Sequence, residues 1–590
     1  MSIVAAFDKT LFYNEASKYC VLRLKTADLM IPEDARTSFP FGDHLIRFTA
    51  VGYDLPRTDS IKMELEGTWT KGKYGYLEAD TLVRDALLLL NEKIPQLDLR
   101  LSRQQVEQEV KAMIMDNVIV ANKGNIYLPH VFTQESETAC KVVQMLLEVP
   151  EPVRLAPVME QIRGRLGIQL SPKQYEGVEM VFQHNLSIIT GGPGTGKSTI
   201  LKAVIEAYQR LYPKNIIKLG APTGKASRRM AETTGMDSAQ TLHSLLGLHG
   251  EDAGWQKKQE LEADLLIVDE CSMMDMWLAY QLFSRLKPGT KVLLVGDADQ
   301  LESVGAGSVF RELIECGLVP VTVLDQIFRQ AKDSLIAYNA KFVREGNCDL
   351  YYGRDFAFIQ ADSQEEVAEL IREVYRTELA HTGMEQVQIL SPFRSEGAAS
   401  ANGLNEAIRE EVNPAEPGKP EVTFGGKLFR LHDRVMQVKN NYDIILHDRA
   451  NEPISTGVFN GEIGVVYAIR SGTVIINFDG RFAGYPLESL GELELSYVST
   501  IHKAQGSEYD LVIIPMLPAH KILLSRNLFY TGITRAKRRV ILVGHKKALY
   551  MAIRKSRNGK RNTLLGERIT LYHCARTRTP APERELKNAG

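Results

Sequence analysis

Leu186-Ser187-Ile188-Ile189-Thr190-Gly191-Gly192-Pro193-Gly194-Thr195-Gly196-Lys197-Ser198-Thr199 decides the fold of this chain. Its apolar opening reads as a short strand, and Ile200 to Tyr208 beyond it reads as a helix. Between them lie Gly191, four free positions, and then Gly196-Lys197-Ser198, the spacing of a phosphate-binding loop. Each part has a job on a nucleoside triphosphate. The glycines let the backbone wrap a polyphosphate and turn its N–H groups inward. The helix N-terminus adds a favourable field, Lys197 reaches the β- and γ-phosphates, and the Ser198 hydroxyl suits Mg²⁺. The segment predicts ATP or GTP binding on a strand–loop–helix unit.

The whole chain sets wider bounds. Its 590 residues are room for several domains, and 44% hydrophobic with 24% charged residues is ordinary globular composition. No apolar run approaches the ~18 residues that span a bilayer, so no membrane role is expected. Met1 to Asp8 has no basic opening of the kind a signal peptide carries. The six cysteines are dispersed with no C-x-x-C pair, which predicts reduced thiols in a cytoplasmic protein. Formal net charge is −2, yet from Arg535 to Arg561 basic residues recur without an acid. Such a run is either a solvated face or a surface for phosphate backbones, and charge alone leaves both open.

Composition and periodicity divide the chain. Residues 1–84 alternate apolar and polar with many turn residues, predicting a small β domain. Residues 85–150 change to helical spacing, with Val106, Val110, Met113 and Ile114 on one face and a short β segment after it, a winged-helix-like pattern. Residues 151–335 hold the phosphate loop and the strand runs Leu186 to Thr190, Ile216 to Gly220, Leu265 to Asp269 and Val292 to Gly296, which predict a parallel sheet covered on both faces. A second α/β domain is expected over 336–420 and 491–575, with strands at Val387 to Ser391, Leu493 to Thr500, Leu511 to Ile514 and Val540 to Val543. Glycine-rich β-like sequence at 421–490 reads as a small inserted barrel, and 576–590 as a flexible tail.

Further chemistry falls at strand ends. Leu265 to Val268 is an apolar strand ending in Asp269 and Glu270. Asp269 suits Mg²⁺, and Glu270 suits orientation of an attacking water. Gln300, after the next strand, suits a γ-phosphate sensor, since its amide both donates and accepts. Arg329 and Arg535 lie beyond the first sheet and suit positive charge on a γ-phosphate, with Arg535 delivered by closure of the second domain. Tyr351, Tyr352, Phe356 and Phe358 read as core packing rather than as a base-stacking platform.

The order of Gln174, the phosphate loop, Ala221-Pro222-Thr223-Gly224-Lys225-Ala226, Gln240-Thr241-Leu242-His243, Val268-Asp269-Glu270, Gly296 to Gln300, Phe328-Arg329-Gln330, Ser499 to Glu508 and Tyr530 to Ala536 resembles superfamily 1B DNA helicases of the RecD-like family. The resemblance covers roughly 155–570; more weakly, the N-terminal region resembles the longer RecD-like proteins. It implies two RecA-like P-loop domains in tandem, an inserted SH3-like barrel, and an N-terminal OB-like β domain with a helical module. It implies that Gln174 reads adenine with Phe328 stacked on it, that Gly191 to Thr199 cradle the phosphates, and that Glu508 touches the ribose. Lys197, Glu270, Gln300, Arg329 and Arg535 would be catalytic, and Ser198 and Asp269 would hold Mg²⁺. Thr223, Lys225, Thr241, His243, Thr500 and His502 would line a single-strand track. The implied activity is ATP-dependent 5′-to-3′ translocation on single-stranded DNA, unwinding duplex that carries a 5′ tail, in repair or recombination, with a repair or nuclease protein as partner. A nucleotide-switched nucleic-acid-binding assembly protein and an RNA helicase are the rival readings. Glu302 stands where the family usually has proline. The short segment between His243 and Asp269 and the short helical region 85–148 leave little room for the family's strand-splitting hairpin and helix-hairpin-helix repeats.

Overall fold

The computed structural model describes residues 75–91, 100–167, 169–248, 259–326, 334–395, 397–556 and 562–578, together with the backbone of the strands Ser2–Tyr13, Tyr19–Thr26, Ile46–Tyr53 and Lys62–Glu66. Those four strands form one antiparallel sheet in which Ser2–Tyr13 is flanked by Tyr19–Thr26 and Lys62–Glu66.

Two parallel sheets dominate the rest. In the first, the strand order is Gln240–Thr241, Ile217–Ala221, Leu265–Val268, Lys291–Gly296, Leu186–Gly191, Val321–Leu324. Every residue of Leu186–Gly191, Leu265–Val268 and Lys291–Gly296 is buried. That is why these strands read as continuous apolar runs rather than alternating ones: helices cover both faces. Two strands are additional to those expected. Gln240–Thr241 is too short to show a period, and Val321–Leu324 is an edge strand with Val323 half-exposed.

The second sheet runs Phe356–Gln360, Ala536–Gly544, Tyr509–Met516, Val387–Ser391, Val498–Thr500, all parallel. The single strand expected over Leu493 to Thr500 is in fact two. Leu493–Leu495 pairs antiparallel with Arg434–Gln437 in another sheet, and only Val498–Thr500 joins Val387–Ser391. The break falls at Ser496 and Tyr497, both buried: Ser496 N donates to the Arg434 carbonyl, and the Tyr497 hydroxyl donates to Asp433 at 3.0 Å. These bonds tie the inserted barrel to the sheet that carries it.

The barrel itself is a seven-stranded sheet, ordered Pro453–Val458, Asn441–His447, Arg481–Pro486, Thr473–Phe478, Ile463–Arg470, Arg434–Gln437, Leu493–Leu495. Val435, Leu446, Val466, Val474, Ile476 and Tyr485 fill its core. Thr473–Phe478 alternates half-buried and buried residues, the strict period of two a one-sided sheet requires.

The helical module comprises Ala79–Asn91, Arg103–Met115 and Pro129–Leu147, with the hairpin Val120–Asn122 and Asn125–Tyr127 joined by Tyr76–Glu78. Ser102 and Gln105 cap the second helix reciprocally, fixing its start. One correction concerns the C-terminal helix Leu565–Thr577, expected inside the second α/β domain. It packs instead on Pro129–Leu147 and on Val309–Glu315 of the first. Leu565 and Ile569 enter the first domain's core, and Arg568 pairs with the fully buried Glu135 at 2.5 Å while lying over the ring of Phe132. Asn562 exchanges two hydrogen bonds with the backbone of Tyr76.

Candidate nucleotide site and domain boundary

The phosphate loop is held in shape by its own side chains. Gly194 and Gly196 take φ of 72° and 84°, which L side chains rarely adopt. A Cβ at Gly191 would lie 2.7 Å from the Leu324 carbonyl, so glycine is required there by close approach. Lys197 starts its helix and turns back, donating to the carbonyls of Gly191 and Gly192 at 2.5 and 3.2 Å. Thr195 Oγ1 donates to Gly192 O, and Gln174 Nε2 donates to Thr195 O at 3.2 Å. Gln174 is buried and also caps its own helix, accepting from Ser171 N at 2.9 Å. Its amide therefore braces the loop. Ser198 and Thr199 occupy the first turn of the helix behind it.

Asp269 and Glu270 end the strand beside the loop. Asp269 accepts from the Glu270 amide at 2.8 Å. Burial, and after it the neighbouring Glu270 carboxylate, raises the Asp269 pKa, while Lys197 and Arg229 oppose the shift. A cation would relieve that strain, and a hydroxyl at Ser198 with a carboxylate at Asp269 is the hard-oxygen donor set that Mg²⁺ takes. Glu270 has a φ of 54°, a sparsely populated conformation for a residue with a side chain.

Charges then alternate across the boundary between the two parallel-sheet domains. Arg535, nearly fully buried, lies 3.9 Å from Glu270; Arg229 lies 4.0 Å from Glu270 and 2.5 Å from Glu508; Lys537 lies 3.7 Å from Glu508. Arg535 also donates to Ser507 O at 3.3 Å. The structure thus brings together Glu270, Glu508 and Arg535, and adds Arg229, which sequence reasoning missed. Its signal was present: Gly224–Thr234 is a helix, so Arg229 lies four residues from Lys225, about one turn on.

A second set of contacts closes the same boundary. Tyr530 donates to Asp297 at 2.8 Å with both side chains buried. The Leu301 amide donates to Thr531 Oγ1 at 2.8 Å, Gln505 donates to the Leu301 carbonyl at 2.9 Å, and Asn527 to the Gln300 carbonyl at 3.4 Å. Gln300 donates to Asp297 at 3.4 Å, and its Oε1 is buried with no hydrogen-bond partner. A buried acceptor left unsatisfied beside a phosphate loop suits a group that accepts from a water. Phe328 and Arg329 lie outside the described residues.

The six residues expected along a single-strand track have different settings. Thr223 and Thr241 are helix N-caps, accepting from Ala226 N and Ser244 N. Lys225 reaches across to Tyr509 of the second domain, 4.6 Å above its ring. His243 packs near Trp277 at 6.0 Å between ring centres. Thr500 accepts from Lys503 N, and His502 is exposed. The basic run from Arg535 is largely neutralised at its start: Arg538 meets Asp510 at 3.6 Å and Arg539 meets Glu378 at 2.5 Å. Lys546, Lys547 and Arg554 are exposed on the following helix. Glu302, the departure from proline, accepts from Ser308 and lies 3.7 Å from Arg311.

Comparison with known proteins agrees with this layout. Three family models match: an AAA domain over residues 174–306, an ATP-dependent RecD-like DNA helicase SH3 domain over 404–478, and a UvrD-like helicase C-terminal domain over 495–543. The ATP-dependent RecD2 DNA helicase of Deinococcus radiodurans is 35% identical over 453 residues, spanning 76% of this chain and 59% of that protein. The RecD subunit of the RecBCD enzyme of Mycobacterium tuberculosis is 28% identical over 481 residues, 72% of this chain and 77% of that protein. The chain thus spans about three fifths of its RecD2 relative. Among solved structures, Bacteroides Pif1 bound to single-stranded DNA aligns with a TM-score of 0.40 at 18% identity, over 64% of this chain and 92% of that one. No described helix is long and apolar enough to cross a membrane.

Proposed function

The chain belongs to the RecD-like helicase family, and from that premise we propose that it is an ATP hydrolase that drives 5′-to-3′ movement along single-stranded DNA and separates duplex ahead of it. The observation that carries the reading is the meeting of Glu270 with Arg535 and Arg229 beside the phosphate loop. A carboxylate suited to orienting water faces an arginine from a second domain, the arrangement phosphoryl transfer needs. Lys197 would exchange its two loop carbonyls for the β- and γ-phosphates. Ser198 and Asp269 would hold Mg²⁺, which neutralises developing charge when bound. Arg535 stabilises the transferring group only while the domains are closed, so turnover and domain motion are linked. Thr223, Lys225, Thr241, His243, Thr500 and His502 would face the strand, with Thr223 and Thr241 offering backbone at helix starts rather than side-chain hydroxyls. Binding through phosphates and stacking predicts weak sequence preference. A role in repair or recombination, beside a nuclease or repair protein, is part of the same proposal, and the likeness to RecD subunits of RecBCD enzymes supports it.

The test is ATP turnover with and without single-stranded DNA, and unwinding of duplexes bearing a 5′ or a 3′ tail. Turnover stimulated by DNA, with unwinding only from a 5′ tail, is expected. Lys197→Ala should abolish turnover while leaving the thermal transition in place. Stimulated turnover with no unwinding from either tail would favour a nucleotide-switched assembly protein, and stimulation by RNA alone would favour an RNA motor.

A further inference from the structure

A cleft of about 540 Å³ opens between the second parallel sheet and the barrel. Arg394 enters it just after the strand Val387–Ser391, and Thr500 and Lys503 enter it at and after the end of Val498–Thr500. From the barrel side come Lys427, at the start of Lys427–Arg430, and Glu494, in the middle of Leu493–Leu495. Glu494 gathers the cations. Arg394 and Lys503 each donate to it at 2.7 Å, and Lys427 stands 4.0 Å away while also donating to the Leu493 carbonyl. Three positive groups share one carboxylate, so the cluster keeps an excess of two charges. Burial pushes the Glu494 pKa up, but Lys503, Arg394 and Lys427 together outweigh it and hold the group below its usual value.

A cleft with surplus positive charge concentrates anions. A guanidinium beside two ammonium groups is the donor set that phosphate oxygens take. Thr500, in the wall of the cleft, is also a member of the proposed strand track, so a strand held there continues into the cleft. The cations come from two separate bodies, the sheet domain and the barrel, and a chain of phosphates can bridge both. We infer that this cleft binds the phosphodiester backbone of the single strand, and that Glu494 is an internal substitute for that phosphate, holding the three cations until a strand displaces it. The inference rests on the single-strand reading above and adds to it a competitor built into the binding surface.

The test is fluorescence anisotropy of a labelled oligothymidylate, without nucleotide, across a salt series. Glu494→Gln keeps the shape and removes the competing charge. Each half-exposed pair is worth up to a few-fold, so the variant should bind on the order of ten-fold tighter. Lys427→Ala should weaken binding several-fold and flatten the logarithmic salt slope by roughly one contact. Unchanged or weaker binding by a Glu494→Gln protein that melts like the wild type overturns the inference, as does unchanged binding by Lys427→Ala. Titration of Glu494→Gln with inorganic phosphate alone separates the sources: saturation at the concentrations where the oligonucleotide binds would mean a free-anion site and would also overturn it. If the wild type binds no oligonucleotide, the motor reading itself has failed. If it binds and Glu494→Gln gives no gain, only this inference has.

Discussion

Removing one oxygen at Tyr530 should open the boundary between the two parallel-sheet domains. The Tyr530 hydroxyl donates to Asp297 at 2.8 Å, and both side chains are about 2% exposed. Burial, and after it the Asp297 carboxylate, holds the phenol well above its ordinary pKa, so it stays a donor at every working pH. In Tyr530→Phe the carboxylate keeps only Gln300, at 3.4 Å, among its side-chain donors across the described residues. A hydrogen bond to a buried charged group is worth about 1.5–3 kcal/mol, so the closed state should lose roughly ten- to hundred-fold in its equilibrium with the open one. The other cross-boundary bonds, among them those at Thr531, Gln505 and Asn527 and the pair Arg229–Glu508, are untouched, so the fold of each domain should persist. Energy transfer between one dye on each domain, without nucleotide, reads the change directly. The KM for ATP should rise in step, because closure precedes turnover. A closed fraction within two-fold of wild type would refute the claim that this bond helps to hold the domains together.

Other consequences are as direct. Arg568→Met strands the buried Glu135 carboxylate and should cost about 3–5 kcal/mol in denaturant unfolding, whereas pairing it with Glu135→Leu should recover most of the loss. A double variant as unstable as Arg568→Met alone would mean that packing rather than charge dominates there. His520 is buried against Phe393 with a pKa pushed down to about 4, against about 6.5 when unfolded. Its neutral form is favoured by folding, so the contribution is complete above pH ~6.5, declines as pH falls, and is gone near the folded pKa, about 3 kcal/mol in all. His520→Phe should flatten that acid limb, and an unchanged pH profile would count against it. Arg229→Ala should lower maximal ATP turnover about ten-fold with little effect on melting, since Arg229 is part-exposed but touches both Glu270 and Glu508. A loss confined to melting temperature would make it a structural residue.

Much of the two parallel-sheet domains was legible because their physics is local. A strand buried on both faces must be apolar throughout, so Leu186 to Thr190, Leu265 to Val268 and Val292 to Gly296 announced themselves, and a loop that wraps phosphate needs glycines at fixed places. The strand break at Ser496 and Tyr497 was not legible, because Leu493 to Leu495 and Val498 to Thr500 both read as strand and only the tertiary partner distinguishes them. The packing of Leu565–Thr577 on the first domain was hidden for the same reason: periodicity tells that a helix has a buried face, not what covers it. Arg229 went unnoticed because an arginine on a helix usually marks solvent, and its two carboxylates come from separate parts of the chain. Among the aromatics expected in a core, Phe356 is fully buried, whereas Tyr351 and Tyr352 are exposed, the first tilted against Phe342 and the second edgewise on Phe358.

The alternation Arg535, Glu270, Arg229, Glu508, Lys537 divides unevenly when the domains part. Arg229 and Glu270 stay with the first domain and cancel. Glu508, Arg535 and Lys537 stay with the second and leave one positive charge. The boundary is therefore a small capacitor with one neutral plate and one positive plate. On the proposed function, a triphosphate seated on the neutral plate would charge it and draw the plates together; each unit charge 4 Å away at a protein surface is worth about 4 kcal/mol before solvent competes. Loss of the terminal phosphate would discharge it. On this view the work of each cycle is electrical before it is mechanical, and raised salt should shorten the stroke before it slows the chemistry.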